Sequence, residues 1–215
     1  PNVISYNAAV SACEKCGQWE RALWMVTEMR EGDLEPDLIS YNAAVSACAK
    51  SVHWELALGL LAEMRGRDLE PDEISYNAAL SSCEKNRQWE RALRVMGDMS
   101  EHDAAPGVIS YSAAISACEK GDQWEFALRL FAEMRNRELD PDMISYSAAI
   151  SACEKSEEWQ RALWILAMMQ LQSLRPNVIS WNAAISTCGK GGQWERAFAV
   201  FANMQEQVLE PKVIS

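Results

Sequence analysis

The sequence predicts an all-α protein in which six helix-turn-helix repeats of 35 residues form a solenoid. The first observation is the constant spacing of the prolines, at Pro1, Pro36, Pro71, Pro106, Pro141, Pro176 and Pro211. The second is a tryptophan with the same spacing, at Trp19, Trp54, Trp89, Trp124, Trp159 and Trp194. The third is a cysteine, at Cys13, Cys48, Cys83, Cys118, Cys153 and Cys188. Such a period is typical of stacked supersecondary units that bury their apolar faces against one another.

These spacings predict one array over residues 1–215. Its units lie at about 1–35, 36–70, 71–105, 106–140, 141–175 and 176–210, and residues 211–215 begin a seventh. The chain starts at a repeat boundary, and neither end has the polar outer face of a capping repeat. We therefore expect it to be a fragment of a longer array.

The first helix of each unit is predicted from residues 4–15 of the first repeat. Ser5 is a natural N-cap, and the segment is rich in alanine and free of glycine and proline. An apolar stripe follows the helical period at Tyr6, Val10 and Cys13. A polar stripe beside it contains Asn7, Ser11 and Lys15.

The second helix is predicted from about Trp19 to Arg30, after a turn at Gly17. Its buried face follows the helical pattern at Trp19, Ala22, Leu23, Val26 and Met29. Two helices of this length are unstable alone, so each pair should be stabilised by stacking on the next.

Composition limits the possible functions. No run of about 18 apolar residues occurs, so no membrane span is predicted. Six of the seven cysteines are repeat copies and are expected to be buried, unpaired thiols. Cys13 and Cys16 form a CxxC pair without further ligands nearby, so neither a metal nor another cofactor is predicted. With no nucleophile–base set and no phosphate-binding glycine loop, we expect no enzyme activity.

The repeated motifs resemble those of the pentatricopeptide repeat family in its plain 35-residue form. They are the Ile-Ser-Tyr-Asn opening, the Cys-Glu-Lys end of the first helix, the Trp-Glu-Arg-Ala-Leu start of the second, and the closing Leu-Glu-Pro-Asp. The tetratricopeptide family differs, because its period is 34 residues and its Trp lies in the first helix. The resemblance implies a right-handed superhelix that binds single-stranded RNA, one base per repeat.

The resemblance also implies the binding residues. Two residues, here called a reader pair, read each base: Asn7 with Asp37, Asn42 with Asp72, Asn77 with Gly107, Ser112 with Asp142, Ser147 with Asn177, and Asn182 with Lys212. The bases would be sandwiched by Ile4, Ile39, Ile74, Ile109, Ile144 and Ile179. The phosphates would be faced by Lys15, Lys50, Lys85, Lys120, Lys155 and Lys190. The reader pairs vary while the other two sets are constant.

Hydrogen-bond chemistry is compatible with base reading. A carboxylate only accepts, so it suits uracil or guanine, whereas Asn and Ser both donate and accept. By family analogy the six pairs would prefer U-U-Y-G-A-Y from the 5′ end, with Gly107 and Lys212 departing from the usual pattern. The alternative is that Asn7 and Ser112 are first-turn polar residues on a solvated face.

The net charge of −11 opposes RNA binding, because affinity depends on neutralising phosphates. The predicted first helices carry four Glu and six Lys, so the acidic surplus lies on the second helices and linkers. Since four of the lysines directly follow a glutamate, we expect modest, salt-sensitive affinity. With six phosphate contacts, a plot of log affinity against log salt concentration would have a slope of about −4.

A second reading is a scaffold or protein-interaction subunit of a larger assembly. Trp24 and Trp164 share a repeat position that is occupied by Arg94 and Arg129 in two other repeats, so we expect this position to be exposed. These tryptophans would then anchor a protein partner on the acidic outer face. The alternative is that they pack on the adjacent repeat. The resemblance suggests a mitochondrion or chloroplast and a role in RNA processing, stability or translation. No targeting segment is visible.

Overall fold

The computed structural model describes residues 1–102 and 104–209, and within them the chain is helical and without strands. The helices are α1 Val3–Lys15, α2 Trp19–Glu31, α3 Leu38–Lys50, α4 Trp54–Gly66, α5 Glu73–Lys85, α6 Trp89–Glu101, α7 Val108–Lys120, α8 Trp124–Asn136, α9 Met143–Ser156, α10 Trp159–Leu171, α11 Val178–Lys190 and α12 Trp194–Leu209. The predicted all-α repeat fold is confirmed. None of these helices is long and apolar enough to cross a membrane.

The first helices begin earlier than predicted, and the assignment of Ser5 as N-cap is wrong. Asn2 caps α1, with extended backbone and a side-chain oxygen that accepts the Ser5 amide at 3.0 Å. In α3 the corresponding Asp37 accepts the Ser40 amide at 2.9 Å, and the Ser40 hydroxyl accepts the Asp37 amide at 3.3 Å. This reciprocal capping box explains the difference, since Ser sits three residues after the true cap.

The turn between the two helices of a repeat contains one residue in the left-handed conformation. Its φ lies between 57° and 68° at Gly17, Val52, Arg87, Asp122, Glu157 and Gly192. Two of the six are glycines, which adopt this conformation without steric cost. Val52 is β-branched, so the same conformation places its side chain against the backbone.

The chain divides into two compact units, residues 1–117 and 118–215. In the first, α3 packs against α1, α2, α4 and α5. In the second, α9 packs against α8, α10 and α11. The same pattern therefore occurs in both units: first helices pack on first helices, and α2, α4, α8 and α10 each also contact the first helix of the next repeat.

Five of the six repeated cysteines, from Cys48 to Cys188, are buried in this core as predicted, whereas Cys13 is only half-buried. Burial raises the pKa of Cys48 and Cys83 to about 11, and that of Cys118 and Cys153 to about 12. These thiols therefore remain protonated at neutral pH and behave as small apolar side chains. Cys16, which is not a repeat copy, is exposed. The described residues contain no His, Cys, Asp and Glu cluster suited to a metal ion.

Candidate nucleic-acid interface

An isoleucine at one register of every first helix is exposed to solvent. Between 55% and 76% of the surface is accessible at Ile4, Ile39, Ile74, Ile109, Ile144 and Ile179. A single exposed apolar residue on a protein surface is ordinary, but here the exposure recurs at the same position in all six repeats. These are the side chains that the family resemblance assigns to sandwiching bases.

The first reader pair consists of two side chains from adjacent repeats in direct contact. The Asn7 Nδ2 donates to both Asp37 carboxylate oxygens, at 3.0 Å each. The Ser40 hydroxyl donates to the Asn7 side-chain oxygen and also to Asp37 Oδ1. The three side chains thus fix one another, and both readers stay partly accessible.

These contacts set the charge on Asp37. Burial alone would raise the pKa of its carboxyl group, but hydrogen bonds from the Ser40 amide, the Ser40 hydroxyl and the Asn7 amide outweigh it and lower the pKa below 3.8. Asp37 is therefore an anionic acceptor at neutral pH.

The second pair repeats the first. The Asn42 Nδ2 lies 3.1 Å from each carboxylate oxygen of Asp72, and the Ser75 hydroxyl donates to the Asn42 oxygen. The serine that precedes the aromatic residue in each of these motifs thus binds to the reader pair as a third residue. Sequence reasoning missed this serine. Its constancy in all six units was the available signal.

The fifth pair has a different arrangement. The Asn177 Nδ2 donates to the Ser147 hydroxyl at 3.2 Å, and the Ser147 and Ser180 hydroxyls are 2.9 Å apart. Asn177 also caps α11 by accepting the Ser180 amide at 2.9 Å. This pair carries no carboxylate and can donate as well as accept.

The remaining predicted readers are less uniform. Ser112 retains only 4% of its surface, and its hydroxyl donates to the Val108 carbonyl at 2.7 Å. Asp142 caps α9 by accepting the Ser145 amide at 2.8 Å. Asn182 is exposed, and Lys212 lies outside the described residues.

The third pair lacks a second side chain at Gly107. There the Asn77 Nδ2 lies 3.4 Å from Glu73 Oε1, while the Ser110 hydroxyl donates to the Asn77 oxygen at 2.7 Å. An acidic residue outside the predicted site therefore contacts this reader. The charge sum of the predicted first helices also left it out, because α5 begins at Glu73 rather than at residue 74.

The lysines lie at the opposite end of the same helices, about 12 Å from the readers. Lys50 Nζ lies 2.8 Å from Glu14 of the preceding repeat, and Ser46 donates to the same carboxylate at 2.8 Å. We call this arrangement the Glu–Lys clamp. Burial alone would raise the pKa of Glu14, but the contacts with Lys50 and Ser46 lower it.

The clamp recurs in the second unit. Lys190 Nζ lies 3.2 Å from Glu154, to which Ser186 donates at 2.7 Å. Lys155 lies 3.3 Å from Glu119 and 2.6 Å from Asp122.

Lys85 differs, because the preceding repeat places Ala49 where the others have Glu. Lys85 donates to the Ala49 carbonyl at 3.2 Å. Lys15 and Lys120, the other predicted phosphate-facing residues, are exposed ends of α1 and α7. The acidic neighbours expected to weaken these lysines thus act between repeats as well as along the sequence.

On the second helices, Trp24 and Trp164 are exposed to 58% and 48%. The Trp164 ring is not solitary, because the Arg135 guanidinium carbon lies 4.8 Å from its centroid. Arg135 and Trp164, together with Leu128 and Ile165, line a cavity of about 430 Å³ between α8 and α10.

Known sequence families account for most of the chain. The PPR repeat family matches residues 1–50, 36–85 and 71–120. The pentatricopeptide repeat domain matches 129–191, and the PPR repeat matches 109–139 and 179–207. The chain belongs to the pentatricopeptide repeat family. No curated protein sequence matches it.

Solved pentatricopeptide repeat structures share the fold. The pentatricopeptide repeat protein PPR10 from maize is 23% identical over 96% of this chain and 30% of its own, with a TM-score of 0.67. PPR10 in complex with an 18-nt psaJ RNA element is 25% identical, over 98% and 29%, with a TM-score of 0.66. The PPR domain of Arabidopsis thaliana protein-only RNase P 1 in complex with tRNA is 16% identical, over 88% and 96%, with a TM-score of 0.72. This chain thus spans less than a third of PPR10.

Proposed function

We propose that this pentatricopeptide repeat chain binds single-stranded RNA and that each reader pair selects one base. The observation that carries the proposal is the recurrence, in all six repeats, of an exposed isoleucine three residues before the first reader. On a helix, residues i and i+3 share a face, so an apolar surface and a hydrogen-bonding group adjoin at each step. The similarity to PPR10, which has been solved with an RNA element, supports the same conclusion.

In the proposed mechanism a base packs its face on an isoleucine while its pairing edge meets the reader pair. Asp37 and Asp72 accept from the N–H of uracil, and their Asn partners orient them. Ser147 with Asn177 supplies both donors and acceptors, as adenine requires. The six pairs read U-U-Y-G-A-Y from the 5′ end, and the lysines at the other helix ends meet the phosphates.

The biological role proposed is in RNA processing, stability or translation in a mitochondrion or chloroplast. The six repeats act as one reading array, in which this region supplies recognition and no chemistry of its own. The pentatricopeptide repeat domain of Arabidopsis thaliana protein-only RNase P 1, which shares this fold, has been solved in complex with tRNA.

The test exchanges one reader pair for another that the chain already contains. The double substitution Asn42→Ser and Asp72→Asn gives the second pair the identity of Ser147 with Asn177. Fluorescence anisotropy should show the preferred second base changing from uracil to adenine, by about tenfold in relative affinity. RNAs varied only at the fifth base serve as the control and should be ranked as before. Unchanged ranking at the second base would refute base reading.

A second candidate is a protein-interaction scaffold, favoured by the exposure of Trp24 and Trp164. Large aromatic residues are common anchors of protein interfaces. After ribonuclease treatment of an organelle extract, the intact chain should retain a defined partner that the Trp24→Ala and Trp164→Ala variants lose. Retention by the variants, or loss on ribonuclease treatment, would exclude this candidate.

A further inference from the structure

Glu73 is an exception at its register in the array. The first residue of each first helix is apolar in the other repeats, namely Val3, Leu38, Val108, Met143 and Val178. The acidic exception opens α5, the helix that carries Asn77. The reader that should partner Asn77 is Gly107, the one described second reader without a side chain. The unusual acid and the missing side chain therefore belong to the same reader pair.

The geometry brings the two exceptions together. A Cβ atom added to Gly107 would lie 3.1 Å from Glu73 Oε1, so the glutamate carboxylate borders the space that an aspartate at position 107 would enter. The same oxygen lies 3.4 Å from Asn77 Nδ2. Ser110 donates to the Asn77 side-chain oxygen at 2.7 Å, as Ser40 does to Asn7.

We propose that Glu73 replaces the missing aspartate, so that the third reader pair is Asn77 with Glu73 and selects uracil rather than either pyrimidine. The first and third pairs then have the same chemistry, an amide oriented by serine beside an anionic acceptor, although the carboxylate comes from a different backbone position. A carboxylate accepts from the uracil N3–H, whereas cytosine presents only an acceptor at N3. This inference rests on the proposed RNA-reading function.

A purely structural role for Glu73 is the competing explanation. An acid in the first turn of a helix interacts favourably with the helix dipole. That role affects the stability of the fold and the affinity for every RNA alike. It does not alter the ratio of affinities for two RNAs that differ only at the third base.

The test uses substitutions that copy the second pair, in which Leu38 precedes Asn42 and Asp72 is the acceptor. We expect the native chain to bind an RNA with U at the third position about fivefold more tightly than one with C. Glu73→Leu should reduce this ratio to about one. Adding Gly107→Asp to Glu73→Leu should restore it, because the space beside residue 107 is then free. Gly107→Asp alone should bind both RNAs less tightly than the double variant, since two carboxylates would meet.

The control is Glu70→Gln, which removes one negative charge from a nearby exposed side chain. It should change both affinities equally. If the ratio of the affinities for the U and C RNAs is unchanged in Glu73→Leu, the inference is wrong. If Asn42→Ser with Asp72→Asn still changes the second-base preference, base reading stands and only the role of Glu73 fails. If no base preference appears at either position, the proposed function itself is refuted.

Discussion

Replacing Glu14 with glutamine should tighten RNA binding by releasing Lys50 from the Glu–Lys clamp. Glu14 Oε1 lies 2.8 Å from Lys50 Nζ, and the lysine side chain is 51% exposed, so a phosphate must compete with the carboxylate for an accessible ammonium group. Two unit charges at this separation interact by about 1.5 kcal/mol in water, and screening by salt reduces this to roughly 1 kcal/mol. Removing the competing charge should therefore improve affinity about fivefold.

Ala49→Glu should have the opposite effect, because it places a carboxylate beside Lys85, which now donates to the Ala49 carbonyl. Affinity should fall about fivefold. In the Glu14→Gln variant, one more available phosphate contact should steepen the log–log salt slope by about 0.7. Exposed ion pairs contribute only about 0.2–1 kcal/mol to folding, so Glu14→Gln should remain folded by circular dichroism. Ala49 is buried, so the fold of Ala49→Glu is checked in the same way before its affinity is compared.

Double-mutant cycles test whether each glutamate acts through its lysine. The gain from Glu14→Gln should vanish in a Lys50→Ala background, and the loss from Ala49→Glu should vanish with Lys85→Ala. Glu20→Gln, which removes the same charge from an exposed position on α2, is the matched control and should have a small effect. If the Glu14→Gln gain is unchanged without Lys50, the clamp does not regulate binding and only the net charge matters.

Three further predictions concern stability and reactivity. Val52→Asn should raise the free energy of unfolding by about 1 kcal/mol, because asparagine tolerates the left-handed conformation better than valine. Urea unfolding measures this change, and an unchanged midpoint would show that Val52 is not strained. Because the pKa of Asp37 is lowered in the folded protein, its carboxylate contributes fully to stability above pH 3.8. That contribution is lost as the pH falls through the pKa of the folded state. Asp37→Asn should therefore make the melting temperature depend less on pH in the acid range. A thiol reagent at neutral pH should modify Cys16 in the native protein and reach Cys48 only on unfolding, as read by mass spectrometry; rapid native labelling of Cys48 would contradict its burial.

Most of the fold could be predicted because the period repeats six times. A pattern such as Trp19, Ala22 and Val26 is ambiguous once and unambiguous when it recurs, so the second-helix start at Trp19 was predicted correctly. The N-cap was not, because Asn2 and Ser5 are both good capping residues and only the backbone conformation decides between them.

The candidate site was predicted less completely. Repetition and family resemblance identify Asn7 and Asp37, which the structure brings into contact. They do not show that Ser40 joins them, nor that Glu14 holds a lysine 36 positions later. Contacts across a repeat boundary depend on the stacking offset, which the sequence period does not contain. Glu73 illustrates the same limit, because a repeat consensus treats such a residue as variation.

The proposed base-recognition pocket at Asn7 spans a repeat boundary, since Asn7 comes from one repeat while Asp37 and Ser40 come from the next. Recombining segments cut at Pro36 and its equivalents would therefore create hybrid pockets at every junction. Cutting between Ser40 and Tyr41 would instead keep Asn42 together with Asp72 and Ser75, while the constant isoleucine, and Glu73 in the third pocket, would come from the preceding segment. A library assembled in that frame should inherit parental base choices, so evolution by repeat duplication would shift specificity in different ways depending on where the crossover falls.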